Sequence, residues 1–192
     1  RCGFLGLLHM DIIQERLERE SDINVVQTAP TVTYEVVHTG RGGEEHTIRI
    51  TNPAELPNPS TVREIREPIV SAEIITPTDC IGDMMKLCEQ RRGIYKQQKF
   101  LAADRQILEY DLPLAEIIYD FFDKLKSITS GYGTVDYEIT GFNADNLVKM
   151  DILVNGTVVD ALSVIVHRSK AEFRGRHLLK KLKEQIDRHL FE

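Results

Sequence analysis

The chain has 192 residues, 42% hydrophobic and 28% charged, which admits one domain or two small ones and excludes collagen-like, mucin-like and wholly disordered chains. No apolar run approaches the roughly 20 residues of a membrane-spanning helix, and no signal-peptide pattern opens the chain. Thirty acidic against 24 basic residues give a net charge of −6, so any pull toward nucleic acid has to be local.

Cys2, Cys80 and Cys88 form neither a disulfide framework nor a CxxC pair, which fits a reducing compartment. Leu7, Leu8, Ile12, Ile13 and Leu17 recur at helical spacing and predict an amphipathic helix ending near Glu20–Asp22. Ile23, Val25, Val26 and then Thr31 to Val36 are rich in branched and aromatic residues and read as strand, with Pro30 at an edge or bulge. A helix and strand alone cannot bury both faces, and the chain opens on Arg1; both features read as a piece of a longer polypeptide. Gly40, Gly42 and Gly43, followed by Thr47 to Ile50, predict a hairpin turn. From Asn52 to Pro68 four prolines predict a linker that holds neither helix nor central strand.

Beyond Pro68 the signals alternate: strand 69–76, helix 80–92, strand 94–101, strand 106–112, helix 114–128, strand 134–140. That order, βαββαβ, is a ferredoxin-like sandwich. Thr78 or Asp79 can cap the first of these helices, and Gly93 can take a left-handed conformation after it. Residues 111–142 repeat the helix, turn, strand order of 7–34. Asn155-Gly156 is a strong hairpin signal between strands 147–154 and 157–166. A helix from about Lys170 to Leu190 closes the chain, with Phe173, Leu178, Leu182 and Ile186 on one side. The fold class is therefore α+β, divided as a helix-strand remnant (1–37), a hairpin and linker (38–67), the sandwich (68–142) and an incomplete hairpin-plus-helix unit (143–192).

Catalytic signatures are scarce. No GxxxxGK[ST] occurs, and the glycines at 40–43 do not open a helix that could aim amides at a phosphate. The six histidines are nowhere spaced as HExxH, and Cys80 with Cys88 lack a second pair, so no metal site is expected. Asp160, Ser163 and His167 have the residue types of a hydrolase triad but no nucleophile elbow. His9, among apolar neighbours, reads as a half-buried histidine. The carboxylate pairs Glu109 with Asp111 and Glu116 with Asp120 read as solvated faces. One feature stands out: Arg168, Lys170, Arg174, Arg176, Lys180, Lys181 and Lys183 are set against Glu172 alone. This local +6 leaves −12 for the rest. A basic strip on an acidic protein suits phosphate-backbone contact, or is simply a solvated helix face. Arg91-Arg92 is a second basic spot, or a pair that stabilises a helix's negative end.

RCGFLGLLHMDIIQERLERE followed by TAPTVTYEV resembles the third domain of the elongation factor 4 (LepA) family of translational GTPases. TNPAELPNP resembles that family's linker. EPIVSAEIITP, LCEQRRG, LPLAEIIYDFFDKLKS and GYGTVDYEITGF resemble its fifth domain, which is also that of elongation factor G. DILVNGTVVDALSVIVHR with RGRHLLKKLKEQI resembles the start of its C-terminal domain. The resemblance implies a ribosome-associated factor that adjusts elongation, with back-translocation among its expected activities. It implies ribosomal RNA, ribosomal proteins and tRNA as partners, and GTP and Mg2+ for the parent protein but no cofactor in this part. By the same resemblance Arg91, Arg92 and Lys96 face the ribosome, and His167, Arg168, Arg174, Arg176, Lys180 and Lys181 face tRNA. A cytoplasmic location is expected, with peripheral association at the inner membrane as a further family trait; an organellar origin stays open. A rival reading is a small-molecule-binding or dimerising regulatory module, because ferredoxin-like sheets serve many ends. A third is the hydrolase at Asp160, Ser163 and His167.

Overall fold

A computed structural model describes residues 7–25, 31–40, 42–118 and 120–185, the side chains of 7–9 excepted. Helix α1 (Leu7–Ser21) forms where the spacing predicts, but Ile12 and Leu17 of its apolar stripe are exposed; it carries Arg16–Glu20 and Arg19–Glu15 pairs one turn apart. The expected strand at 23–36 starts later. Residues 22–25 have no regular structure, and β1 spans Tyr34–Thr39; Val26 and Pro30 lie outside the described residues. β1 turns through Gly42 and Gly43 into antiparallel β2 (Glu45–Ile50), as the glycines predict.

The proline-rich stretch divides in two. Pro53–Glu55 forms a 3-10 turn whose Ala54 N–H donates to Asn52 Oδ1 at 3.0 Å, but β3 (Val62–Pro77) then runs straight through Pro68. The expected absence of a central strand before residue 69 is corrected accordingly. Arg66 is the last β3 residue paired with β1, and Ile69 is the first paired with β5 (Arg105–Pro113). Between them one edge of β3 has no strand partner, which is where a residue without an N–H is tolerated. Burial parity also changes there: Ile65 and Glu67 are buried before the proline, and Val70, Ala72, Ile74 and Thr76 after it. One strand thus serves two cores.

The first core is the sandwich. β3 is followed by a 3-10 turn (Thr78–Cys80), α2 (Ile81–Gln90), β4 (Ile94–Ala102), β5, α3 (Leu114–Ile117), α4 (Phe121–Ile128) and β6 (Thr134–Asp145). The pairings place these strands in the antiparallel order β6-β3-β5-β4, the ferredoxin-like arrangement. Val70, Ala72, Ile74, Leu108, Tyr110 and Leu112 from the sheet meet Met84, Leu87, Cys88, Ile117, Phe121 and Leu125 from the helices. Burial pushes the Cys88 thiol up to about 12, so it packs as a small apolar group.

Local details differ from expectation. Neither Thr78 nor Asp79 caps α2 with its side chain. The left-handed residue after α2 is Arg92 (φ 60), not Gly93. Gly93 instead donates to Cys88 O at 2.8 Å, where an added Cβ would lie 2.7 Å from that oxygen. The single helix expected over 114–128 is broken into α3 and α4. Ala115 and Ile118 pack on the second core, Leu114 touches both cores, and Ile117, Phe121 and Leu125 stay in the first.

That second core gathers Val32, Tyr34, Val36, Ile50, Ile65, Leu147 and Ile165. The last two come from β7 (Leu147–Met150) and β10 (Val164–His167), an antiparallel pair. Asn155 (φ 50) and Gly156 (φ 78) turn β8 (Leu153–Val154) into β9 (Thr157–Val158) as predicted, but a 3-10 turn at Asp160–Leu162 interrupts the long return strand. Helix α5 (Arg168–Gln185) completes the described chain. No helix among the described residues is long and apolar enough to cross a membrane.

Candidate nucleic-acid interface

The basic residues singled out by the sequence fall into two sets. One set is turned inward. Glu116, only 3% exposed at the end of α3, receives Arg92 Nε at 3.1 Å, Lys170 Nζ at 3.1 Å, Arg174 Nη2 at 3.5 Å and Arg91 Nη1 at 3.7 Å. Arg91 also pairs with Asp120. Arg92 reaches Glu67, 1% exposed, at 3.0 Å through Nη2 and Asp145 at 2.9 Å through Nη1. Lys170 additionally donates to Gln90 O at 2.8 Å, a carbonyl at the negative end of α2. Together these side chains form an ionic seam joining α2, α3, β3 and β6 of the sandwich to α5.

The electrostatics match the geometry. Burial alone would raise the Glu116 carboxyl, but Lys170, Arg92 and Arg174 hold it below the ordinary range. Asp120 and Asp145 are held low in the same way, against desolvation: Asp120 by Lys124 and Arg91, Asp145 by the Asn146 N–H, His167 and Arg92. Burial works against the charge on Arg92, but Glu67 and Glu116 more than compensate and hold it firmly protonated.

Arg91 and Arg92, expected on the ribosome-facing surface, are therefore held behind carboxylates, Arg91 buried and Arg92 half-buried. Lys96 is half-exposed but bonded to Asp111 at 2.6 Å. It shares the open sheet face with Lys99, where paired strand positions also place Glu73, Glu109, Asp136 and Glu138, so that face is acidic. His167 Nε2 lies 3.3 Å from Asp145 Oδ1, and its Nδ1 2.7 Å from Ser169 Oγ. Arg168 is exposed and donates through Nε to Asn146 at 3.1 Å.

The other set faces outward on α5. Ala171, Gly175, Leu178 and Leu182 lie half-buried on the side that meets β7, where Gly175 approaches Met150. Phe173, Arg176, Lys180 and Lys183 recur at positions i, i+3, i+7 and i+10, a stripe on the opposite side. Arg176 pairs with Glu172 in solvent; Lys180, Lys181 and Lys183 have no carboxylate partner among the described residues. Phe173, expected beside Leu178 and Leu182, is 78% exposed. Five residues separate it from Leu178, which places the two about 140° apart around the helix. Ile186 lies outside the described residues.

Chemistry of other kinds finds no assembled group. Ser163 gives its hydroxyl to Asp151 at 2.7 Å, and His167 is engaged by Asp145 and Ser169, so Asp160, Ser163 and His167 do not form a triad. No cluster of three metal-ligating side chains occurs among the described residues. The glycines at 40–43 belong to the β1–β2 hairpin and make no phosphate cradle, so these residues do not fit GTP. The seam itself was invisible locally. Glu116 sits opposite the apolar stripe of its own helix, and only the arrival of α5 and the end of α2 makes it a hub.

Two family models match in succession. Elongation factor G C-terminus covers residues 64–153, and GTP-binding protein LepA C-terminus covers 154–192. Relatives each described as Elongation factor 4 align over the whole chain: 56% identity for Symbiobacterium thermophilum and for Acetivibrio thermocellus, and 53% for Clostridium tetani. The chain spans 31% of the length of each of these relatives. With the sandwich and the α5 unit falling one after the other on those two models, the chain belongs to the elongation factor 4 family.

Proposed function

We propose that this chain is the ribosome- and tRNA-contacting region of an elongation factor 4-type translational GTPase that adjusts elongation, back-translocation included. The observation that supports this reading is the outward face of α5. There Lys180, Lys181 and Lys183 stand exposed, with no carboxylate partner among the described residues, on a chain of net charge −6. Phosphate contacts of this kind set register without reading sequence. The seam contributes rigidity: Lys170 and Arg174 fix α5 on the sandwich, so the open cations point in one direction. GTP and Mg2+ belong to parts of the parent outside this chain.

A salt titration of tRNA binding and of ribosomal RNA binding tests the reading. The slope of log affinity against log salt falls by about 0.7 to 0.9 for each phosphate that is no longer neutralised. Lys180→Gln with Lys181→Gln is expected to flatten it by one to two such steps, whereas Lys96→Gln, on the acidic sheet face, leaves it nearly unchanged. An unchanged slope in the double variant overturns the assignment.

A further inference from the structure

The outward stripe of α5 holds more than charge. Phe173 is 78% exposed and nearly parallel to the His177 ring, with centroids 6.5 Å apart and an interplanar angle of 8°. Arg176 and Lys180 follow at three and seven residues, on the same side of the helix. An apolar ring left in water forgoes the free energy of burial, and a flat π face stacked on it recovers that and adds ring–ring attraction. The inner side of the helix has its cover in the residues facing β7; the outer side has none among the described residues.

We infer that Phe173, with His177 beside it, is a stacking platform for an unpaired base of a bound RNA, and that the flanking Arg176, Lys180 and Lys183 hold the phosphates of the same strand. This rests on the RNA-contact reading above and narrows it to a class of RNA. A regular duplex offers phosphates to lysines but keeps its ring faces stacked inside, so it gains nothing from Phe173. A single strand, a loop or a frayed end offers both. Charge complementarity favours RNA over a protein partner: among the described residues Lys180 and Lys183 have no carboxylate partner, and Arg176 is matched by the exposed Glu172.

The test uses the full 192-residue chain and a short single-stranded RNA carrying 2-aminopurine, beside the same sequence as a duplex. Stacking quenches the fluorophore, and removal of one aromatic–base stack is expected to cost about tenfold in affinity. Phe173→Leu keeps apolar volume on an exposed helix position, so it folds. It is expected to lose both the quenching and the tenfold on the single strand, with the salt slope unchanged. Phe173→Tyr is expected to restore both, and the duplex is expected to bind equally to all three proteins. Single-strand affinity unchanged in Phe173→Leu overturns the inference while leaving the Lys180 and Lys181 slope, and hence the proposed function, standing. Equal dependence on Phe173 for the duplex overturns the unpaired-base assignment. RNA-free self-association abolished by Phe173→Leu in sedimentation overturns it too, by giving the face to a second copy of the chain.

Discussion

Lys170 and Lys180 are the same amino acid on one helix, ten residues apart, and do different work. Lys170 is anchored on Glu116 and Gln90 O in the seam, while Lys180 projects into solvent with no carboxylate among the described residues. The difference lies in what the fold brings opposite each. Glu116, Glu67, Asp120 and Asp145 converge on Arg91, Arg92, Lys170 and Arg174, and the seam is charge-balanced. The outer stripe of α5 is not. A basic residue is evidence for RNA contact only after its carboxylate partners have been counted, and that count separates the inner half of the helix from the outer.

The contrast can be broken most strongly at its hub. Glu116→Gln leaves Arg91, Arg92 and Lys170 short of their shared carboxylate, and removing one partner of a buried ion group costs about 3–5 kcal/mol. Urea unfolding is expected to show a loss of that size; a loss under about 1 kcal/mol would put the seam in the class of surface pairs. Next comes Arg92, which holds φ 60. Arg92→Gly relieves about 1 kcal/mol of left-handed strain but forfeits Glu67, Glu116 and Asp145, for a net cost of about 2–4 kcal/mol. Arg92→Ala is expected to be about 1 kcal/mol worse, since it keeps the strain. If Ala and Gly prove equal, the backbone conformation contributes nothing.

Acid provides a third, smaller probe. Glu116, Asp120 and Asp145 are depressed below their ordinary 4.5, 3.8 and 3.8. A depressed carboxyl stabilises the folded state above its unfolded value, and the contribution is lost as pH falls through the folded one. Melting temperature is therefore expected to be flat above pH 4.5 with respect to these groups and to fall on acidification below 3.8, less steeply in Asp145→Asn. An equal slope in both proteins would remove Asp145 from the seam. The smallest effect belongs to the outer stripe: Lys180→Gln is expected to shift stability by no more than about 0.5 kcal/mol, as exposed unpaired positions do. A larger shift would show that Lys180 has a structural partner.

Much of this was legible from residue order. Period and turn chemistry specify βαββαβ, because Leu114, Ile117, Phe121 and Leu125 at helical spacing and the alternating Val70, Ala72 and Ile74 each carry their own signal. The Asn155-Gly156 turn is equally local, since few other dipeptides accept two positive φ values. The resemblance to elongation factor 4 was readable in contiguous strings for the same reason.

Tertiary structure alone decided the rest. Pro68 marks a linker by composition, yet it passes through a strand because β1 and β5 share one edge of β3 and leave a gap there. Glu116 and Asp120 look like solvated neighbours until Arg91 and Arg92 at the end of α2, and Lys170 and Arg174 for Glu116, arrive from other parts of the chain. Phe173 belongs to the outer stripe because 3.6 residues per turn carry it away from Leu178 once β7 fixes which side of α5 faces in. Local propensity follows from neighbours in sequence, whereas the pairing and exposure of a charge depend on groups distant along the chain, and only folding brings those together.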